Sequence, residues 1–289
     1  MTVEQPEFRR WFQFRLRTLL IGVVVLSVLL SWFAARMEKA RRQRAAVEAI
    51  QGMGGVVYYE WPIVPPGAAP KPPPSTWLRT VLGNDFFDRV KRVDLFLLSR
   101  AVTDADLEHL EALTDLRCLV LFGPEVTDAG LVHLESLTDL EELYLMCSKT
   151  TDAGLEHVKG LTRLKTLGLQ STQVSDAGLK HLQGLTNLEV LGLRHTWVTD
   201  AGLEQLKGLT HLESLVLSHT RVTDAGLEHL AGLASLRSLT LDETAISDAG
   251  LAYLGTFTHL EILKVSDTEV TPEGVEKLQG VLPDCWIEY

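Results

Sequence analysis

Residues 198–221 read VTDAGLEQLKGLTHLESLVLSHTR, and the same 24-residue pattern returns in phase along most of the chain. Its aspartate falls at Asp104, Asp128, Asp152, Asp176, Asp200, Asp224 and Asp248, and Pro272 takes the eighth place. Chance does not hold a register through eight copies. A period of 24 lies in the range of about 20–29 residues typical of solenoid repeats that carry one strand and one helical turn each.

The columns of the repeat state its physics. Leu191 and Leu193 alternate as one buried face of a strand does. The pair recurs at Leu119/Leu121, Leu143/Leu145, Leu167/Leu169, Leu215/Leu217 and Leu239/Leu241, which predicts a start at Leu95/Leu97 and an end at Leu263/Val265 and Ile287/Tyr289. Strands one repeat apart stack about 4.8 Å apart as a parallel sheet. The TDAG segment predicts a helix start, with Thr127 as N-cap and Asp128 in the first turn, where the helix dipole favours a negative charge. Leu131, Leu134 and Leu137 form its inner stripe. Gly160, Gly184, Gly208 and Gly232 fall just past the helix, where a left-handed residue is expected. Thr172, Thr196, Thr220, Thr244 and Thr268 are expected to satisfy backbone groups at the turn leaving each strand, as a stacked ladder. An aspartate present in every copy reads as structural rather than catalytic.

Ahead of the repeats, Thr18–Ala35 (TLLIGVVVLSVLLSWFAA) carries no charge. As a helix it spans about 27 Å, against about 30 Å of hydrocarbon in a bilayer. Trp11 and Trp32 lie near its two ends, where aromatic rings favour the interface. No small-x-small cleavage site precedes Arg36, so the segment reads as an uncleaved signal-anchor. Residues 1–17 are then a basic tail, 18–35 a transmembrane helix, and 36–52 a helical stalk. Residues 53–92 form an N-terminal cap with a proline-rich loop, and 93–289 the repeat domain. The flanking cations, four before and five after, do not orient the span. The short tail and the large following domain favour repeats outside the cytoplasm. Seven prolines between Pro62 and Pro74 exclude a helix or central strand there.

The FRLRTLL approach to the anchor, the GGVVYY segment and the VTDAGLxHLxGLTxL repeat resemble those of bacterial membrane-anchored leucine-rich-repeat proteins, and the likeness covers essentially the whole chain. The repeat type is also similar to that of ribonuclease-inhibitor-like proteins and F-box substrate receptors, without an F-box. The resemblance implies an α/β leucine-rich-repeat solenoid, with a parallel concave sheet and convex helices, behind one N-terminal transmembrane helix. It implies a partner on the concave side, although fold alone does not define function.

Side chains alternating with the leucines face away from the core, and their columns vary where the leucines do not. The middle column reads Phe96, Val120, Tyr144, Gly168, Gly192, Val216, Thr240, Lys264 and Glu288. The next reads Leu98, Phe122, Met146, Gln170, Arg194, Ser218, Asp242 and Ser266, and the one after Ser99, Gly123, Cys147, Ser171, His195, His219, Glu243 and Asp267. The expected partner-binding set is Phe122, Tyr144 and Met146 at an apolar end, with Arg194, His195, Trp197, His219 and Arg221 in the middle beside two open glycines. Trp and Arg are favoured interface anchors. The histidines His109, His133, His157, His181 and His229 share a helix column and read as a half-packed surface.

No triad order, phosphate loop or HExxH is present, and His195, His219, Glu243 and Asp267, although spaced so as to admit a metal, form no fixed ligand set, which predicts no enzyme, no cofactor and no metal. Cys118, Cys147 and Cys285 form no CxxC and read as buried thiols. Residues 1–100 hold 15 Lys+Arg against 8 Asp+Glu, and residues 101–289 hold 12 against 30. So acidic a repeat domain repels phosphate backbones, and nucleic acid is not an expected partner. The expected function is a membrane-tethered scaffold for a protein or peptide ligand; a structural envelope spacer and a cytoplasmic substrate-receptor-like adaptor are the alternatives.

Overall fold

A computed structural model of the chain describes residues 7–59, 77–96, 101–146 and 148–289. The proline-rich stretch, Leu98, Ser99 and Cys147 lie outside the described residues. The chain divides into two compact units, residues 1–45 with 72–88, and residues 46–71 with 89–289.

The second unit holds the repeats. Ten strands lie in one sheet in chain order: β1 (Val56–Tyr59), β2 (Val90–Leu95), β3 (Cys118–Phe122), β4 (Glu142–Met146), β5 (Thr166–Gly168), β6 (Val190–Gly192), β7 (Ser214–Val216), β8 (Ser238–Thr240), β9 (Ile262–Lys264) and β10 (Trp286–Glu288). β1 pairs antiparallel with β2, and every later neighbour is parallel. In-phase pairing such as Leu191↔Leu215 follows directly from the 24-residue period.

Most rungs cross back on one α-helical turn followed by a tighter 3-10 turn, as in Asp200–Leu203 and Glu204–Leu206; the rung at Gly154–His157 has the 3-10 turn alone, and those at Asp248–Leu254 and Pro272–Val281 the α-helix alone. Leu191, Leu193, Val198, Leu203, Leu206, Leu209 and Leu212 of one rung are all fully buried between strand and helix. A single repeat has nothing to bury these side chains against, so stacked neighbours supply the core. The N-terminal end is closed by Ala46, Val47 and Ile50 from the last turns of the long helix α1 (Glu7–Gly52), with Met53 and the partly buried Val57 and Tyr59. The cap of this unit thus begins inside the stretch expected to be stalk.

The first rung departs from the expected register. Val93 pairs with Leu119 and Leu95 with Leu121, an offset of two residues from the predicted Leu95/Leu97 start. Asp94, not Phe96, therefore holds the middle slot, and Phe96 lies just past the strand end, exposed. Both alternations are locally acceptable, and pairing with β3 selects one of them.

The glycines past the helices also differ from expectation. Gly54 and Gly83 are the described glycines with positive φ; Gly160, Gly184, Gly208 and Gly232 are not among them. The helices end by tightening into 3-10 turns, so no left-handed cap is needed. In the five rungs from β5 to β9 a left-handed residue sits at the strand exit instead: Ser171, His195, His219, Glu243 and Asp267, with φ from 54° to 59°. The threonine after it donates to the carbonyl three residues back, as Thr196 Oγ1 does to Leu193 O at 2.6 Å. The threonine column thus closes its own turns and forms no ladder between rungs.

The ladder between rungs belongs to the aspartates. Asp176 accepts from the backbone N–H of Thr199 at 2.8 Å and from its hydroxyl at 2.7 Å. The same pair of bonds links Asp104 to Thr127, Asp128 to Thr151, Asp152 to Ser175, Asp200 to Thr223, Asp224 to Ser247 and Asp248 to Thr271. Each carboxylate satisfies a helix-entry N–H of the following rung, which its own helix leaves open. The glycine of TDAG makes room for it: a Cβ on Gly202 would lie 2.4 Å from Asp176 Oδ1.

In the first unit, α2 (Trp77–Leu82) leads into the 3-10 turn Asn84–Phe86, and it is this turn that is tied to α1. The Phe86 ring meets Phe33 at 5.4 Å between centroids, and its carbonyl accepts from Arg36 Nε at 2.9 Å. Gln43 donates to Asp85 at 3.1 Å and to the carbonyl of Asp88 at 2.9 Å. Residues 77–88 thus belong with the long helix rather than with the solenoid cap.

Candidate binding face

The sheet face opposite the leucines carries three columns, which the register defines. The first runs Arg92, Cys118, Glu142, Thr166, Val190, Ser214, Ser238, Ile262 and Trp286. The second runs Asp94, Val120, Tyr144, Gly168, Gly192, Val216, Thr240, Lys264 and Glu288. The third includes Phe122, Met146, Gln170, Arg194, Ser218 and Asp242.

The N-terminal end is less apolar than the sequence suggests, because Arg92 and Asp94 sit on β2 and pair at 2.8 Å. The Arg92 guanidinium also lies 5.8 Å from the Tyr58 ring of β1. Phe122 is exposed; Tyr144 and Met146 are half-buried beside it. Cys118 donates to Glu142 at 3.3 Å. Burial, then the neighbouring Glu142, push its thiol up to about 12, so it is not a nucleophile at neutral pH.

The expected open floor at the glycines is filled. A Cβ on Gly192 would meet the Gln170 amide nitrogen at 2.3 Å, and one on Gly168 would meet Gln170 Oε1 at 2.8 Å and the Tyr144 ring at 2.9 Å. Gln170 lies across both rungs, so the glycines accommodate a side chain of this chain.

Of the five expected central residues, the structure brings three together. The imidazoles of His195 and His219 stack with centroids 3.8 Å apart. Arg194 Nη2 lies 3.1 Å from His219 Nε2, and Glu243 Oε1 lies 2.7 Å from the same nitrogen. Unprotonated, that nitrogen accepts from Arg194; protonated, it donates to Glu243. Burial, then the charges of His219 and Arg194, hold His195 below the ordinary imidazole range. Trp197 and Arg221 stand apart on a second parallel ladder, where their backbones bridge to Ser175 and Thr199. Both are exposed, Trp197 by 53%. Among the described residues, no cluster of three or more His, Cys, Asp or Glu has metal-site geometry.

On the helix side, His133 Nδ1 meets Glu111 and His157 Nδ1 meets Glu135, each at 2.6 Å. Two members of this column are thus half-buried imidazole–carboxylate links between rungs, while His109 is exposed. One feature was not singled out in sequence: a groove of about 480 Å³ along the strand entries, lined by Glu141, Lys165, Glu189 and Glu213 at 24-residue spacing, with Arg163 and His211. Its signal was the charged residue just before each strand, in phase with the leucines.

Consecutive in-phase strands, short helical returns and a fully buried leucine column define a leucine-rich-repeat solenoid. Two family models described as leucine-rich repeat match residues 186–246 and 258–278. Among solved structures, an internalin C2 from Listeria monocytogenes superposes with a TM-score of 0.56 at 29% identity, covering 68% of this chain and 80% of that one. A second internalin from the same organism, inlF, matches at 19% identity with a TM-score of 0.37, covering 73% and 86%. No curated protein sequence matches the chain. The chain is thus a leucine-rich-repeat protein, and its long N-terminal helix carries one segment apolar enough to cross a membrane by length and composition.

Proposed function

We propose that the chain is a membrane-tethered, non-enzymatic scaffold that grips a protein or peptide on the concave sheet face of its repeats. The observation that carries this is the contrast between the two sides of each strand. The leucine columns are uniform and buried, while the opposite columns change chemistry from rung to rung. Uniform columns serve the fold, and variable ones store specificity. The central contact residues are Arg194, His195, Trp197, His219 and Arg221, with Phe122, Tyr144 and Met146 toward one end. Trp197 offers the largest exposed apolar area among them, and Arg194 and Arg221 offer forks for partner carboxylates.

The test is proximity labelling in the native cell, with the tag at the C-terminus, followed by capture with variants. Trp197→Ala with Arg194→Ala is expected to leave thermal stability nearly unchanged. The same pair weakens capture by about ten-fold or more, which is about 1.4 kcal/mol. Glu156→Ala with Lys180→Ala on the helix side is expected to do neither. Loss of capture in the helix-side pair alone would overturn the reading.

The tether is part of the same proposal. Its support is an 18-residue window of mean hydropathy 2.4 with none of it buried, and exposed Leu19, Ile21, Leu26 and Leu30 have no soluble core to enter. Arginines at Val24 and Leu26 are expected to cost about 2.5–3.5 kcal/mol each at the centre of a span and to release the chain from membranes. Equal carbonate extraction of the unaltered chain would refute the tether. The repeats are placed outside the cytoplasm, and protease added to intact cells is expected to remove a C-terminal tag.

A further inference from the structure

The six residues of α2 include Trp77, Leu78 and Val81, exposed by 74%, 40% and 71%, and none of the six is buried. Single exposed apolar side chains need no explanation, but three within one and a half turns do. The 3-10 turn that follows ties this helix to α1 at a definite level. Phe86 packs on Phe33 and receives the Arg36 hydrogen bond, while Asp85 accepts from Arg44 at 3.2 Å. Arg79 of α2 holds Asp88 through two bonds of 2.5 and 3.0 Å. Phe33 lies in the last turn of the uncharged run that ends at Ala35, and Arg36 is the first charge after it.

A bilayer that covers that run places its headgroup layer along the next turns of α1. That layer is about 5–8 Å deep per leaflet, and Arg36–Arg44 rise about 12 Å along the helix axis. Phe86 is anchored at Phe33 and Arg36, at the inner edge of this layer, and Asp85 at Arg44, past its outer edge; the stretch between them bears Lys39, Arg41 and Arg42. Tryptophan and aliphatic side chains on a short helix at that level match the boundary between headgroups and acyl chains.

We propose that α2 is an interfacial foot: it lies in the headgroup layer of the leaflet that α1 leaves, with Trp77, Leu78 and Val81 turned into lipid. The occupant of the apolar face is the bilayer itself, and anionic headgroups suit the surrounding cations. The foot rests on the tether reading and extends it from one span to a span with a lateral support.

The experiment uses the full chain in liposomes of phosphatidylcholine and phosphatidylglycerol. Single cysteines replace Val28, Trp77, Val81 or Glu204 in a background with Cys118, Cys147 and Cys285 changed to Ala. Each carries a nitroxide, whose depth is read from the ratio of oxygen to nickel-chelate accessibility. Position 28 is expected to be deep, 77 and 81 at intermediate depth, and 204 aqueous. Positions 77 and 81 as aqueous as 204, with 28 deep, would overturn the foot and leave the tether standing. An aqueous position 28 would remove both. Should the cysteine background not fold, quenching by lipids brominated near the headgroup keeps the native thiols. Trp77→Phe is then expected to lower the quenched share of tryptophan emission, and an unchanged share overturns the foot.

Discussion

Asp106 accepts hydrogen bonds from both the backbone N–H and the hydroxyl of Thr103, each at 2.9 Å. These are the two groups that, in every later rung, are served by the aspartate of the rung before. The first rung has no predecessor, and Asp106 replaces the glycine that elsewhere leaves room for that neighbour. The ladder thus ends on a carboxylate drawn from its own helix. In the eighth place Pro272 stands where the aspartate would be, at the start of the helix Pro272–Val281, where its missing N–H costs no helical hydrogen bond. Gly274 is retained there, because Asp248 still needs the space.

Replacing Asp106 by the repeat's own glycine is therefore expected to destabilise the first rung by about 1 kcal/mol, the usual scale for a lost helix cap. Asp106→Asn keeps an acceptor and is expected to lose less. Hydrogen exchange at Thr103 and Asp106 amides measures both, and faster exchange confined to other rungs would contradict the capping role.

Within the ladder, Asp176→Ala removes two bonds at once and is expected to cost about 1–3 kcal/mol in urea unfolding. Gly202→Ala, normally a helix-stabilising exchange, is expected to destabilise because its Cβ meets Asp176. In the Asp176→Ala background that cost is expected to vanish or change sign. A double-mutant cycle with no coupling between positions 176 and 202 would contradict the fit of glycine to carboxylate.

The last link titrates. Backbone and hydroxyl hydrogen bonds from Thr271 hold the Asp248 carboxyl below its ordinary range. The stabilisation it confers is thus fully present above the ordinary carboxylate pKa of about 3.9. It is lost as pH falls through the lower value of the folded state. Asp248→Asn is expected to flatten that part of the acid-unfolding profile, which circular dichroism against pH can follow. An unchanged acid midpoint and slope would count against the link.

The third rung carries paired departures from the repeat. Thr150 occupies a core column held elsewhere by valine or isoleucine, fully buried, and its hydroxyl accepts from Ser148 at 2.8 Å. Exchanging both for the repeat's residues, Ser148→Thr with Thr150→Val, removes the buried Thr150 hydroxyl and restores the threonine that in other rungs donates to the carbonyl three residues back. The result is expected to be neutral or up to about 1 kcal/mol more stable, whereas Thr150→Val alone leaves Ser148 short of an acceptor. Melting temperatures of the single and double variants decide it, and a single variant as stable as the double would show the pair to be uncoupled.

The period, the parallel sheet and the buried leucine columns were legible in sequence, because every copy meets the same local demand and meets it with the same residue type. The apolar run of α1 was legible for a similar reason: its composition and length need no partner to be recognised. The start of the sheet was not legible. Val93-Asp94-Leu95 and Leu95-Phe96-Leu97 alternate equally well, and only hydrogen bonding to β3 distinguishes them. Asp106 stands where later copies of the repeat have glycine, a departure the sequence reading passed over. Its meaning depended on a carboxylate reaching a threonine 23 residues away in the next rung, a distance that local pattern does not encode. The glycines at 168 and 192 read as open floor until Gln170 was seen to lie across both. The five central residues read as one cluster, yet tertiary structure stacks His195 on His219 and sets Trp197 and Arg221 on another ladder. Strand periodicity assigns a residue to a face. Which residues on that face touch depends on rotamers and turn geometry, and those are set by neighbouring rungs.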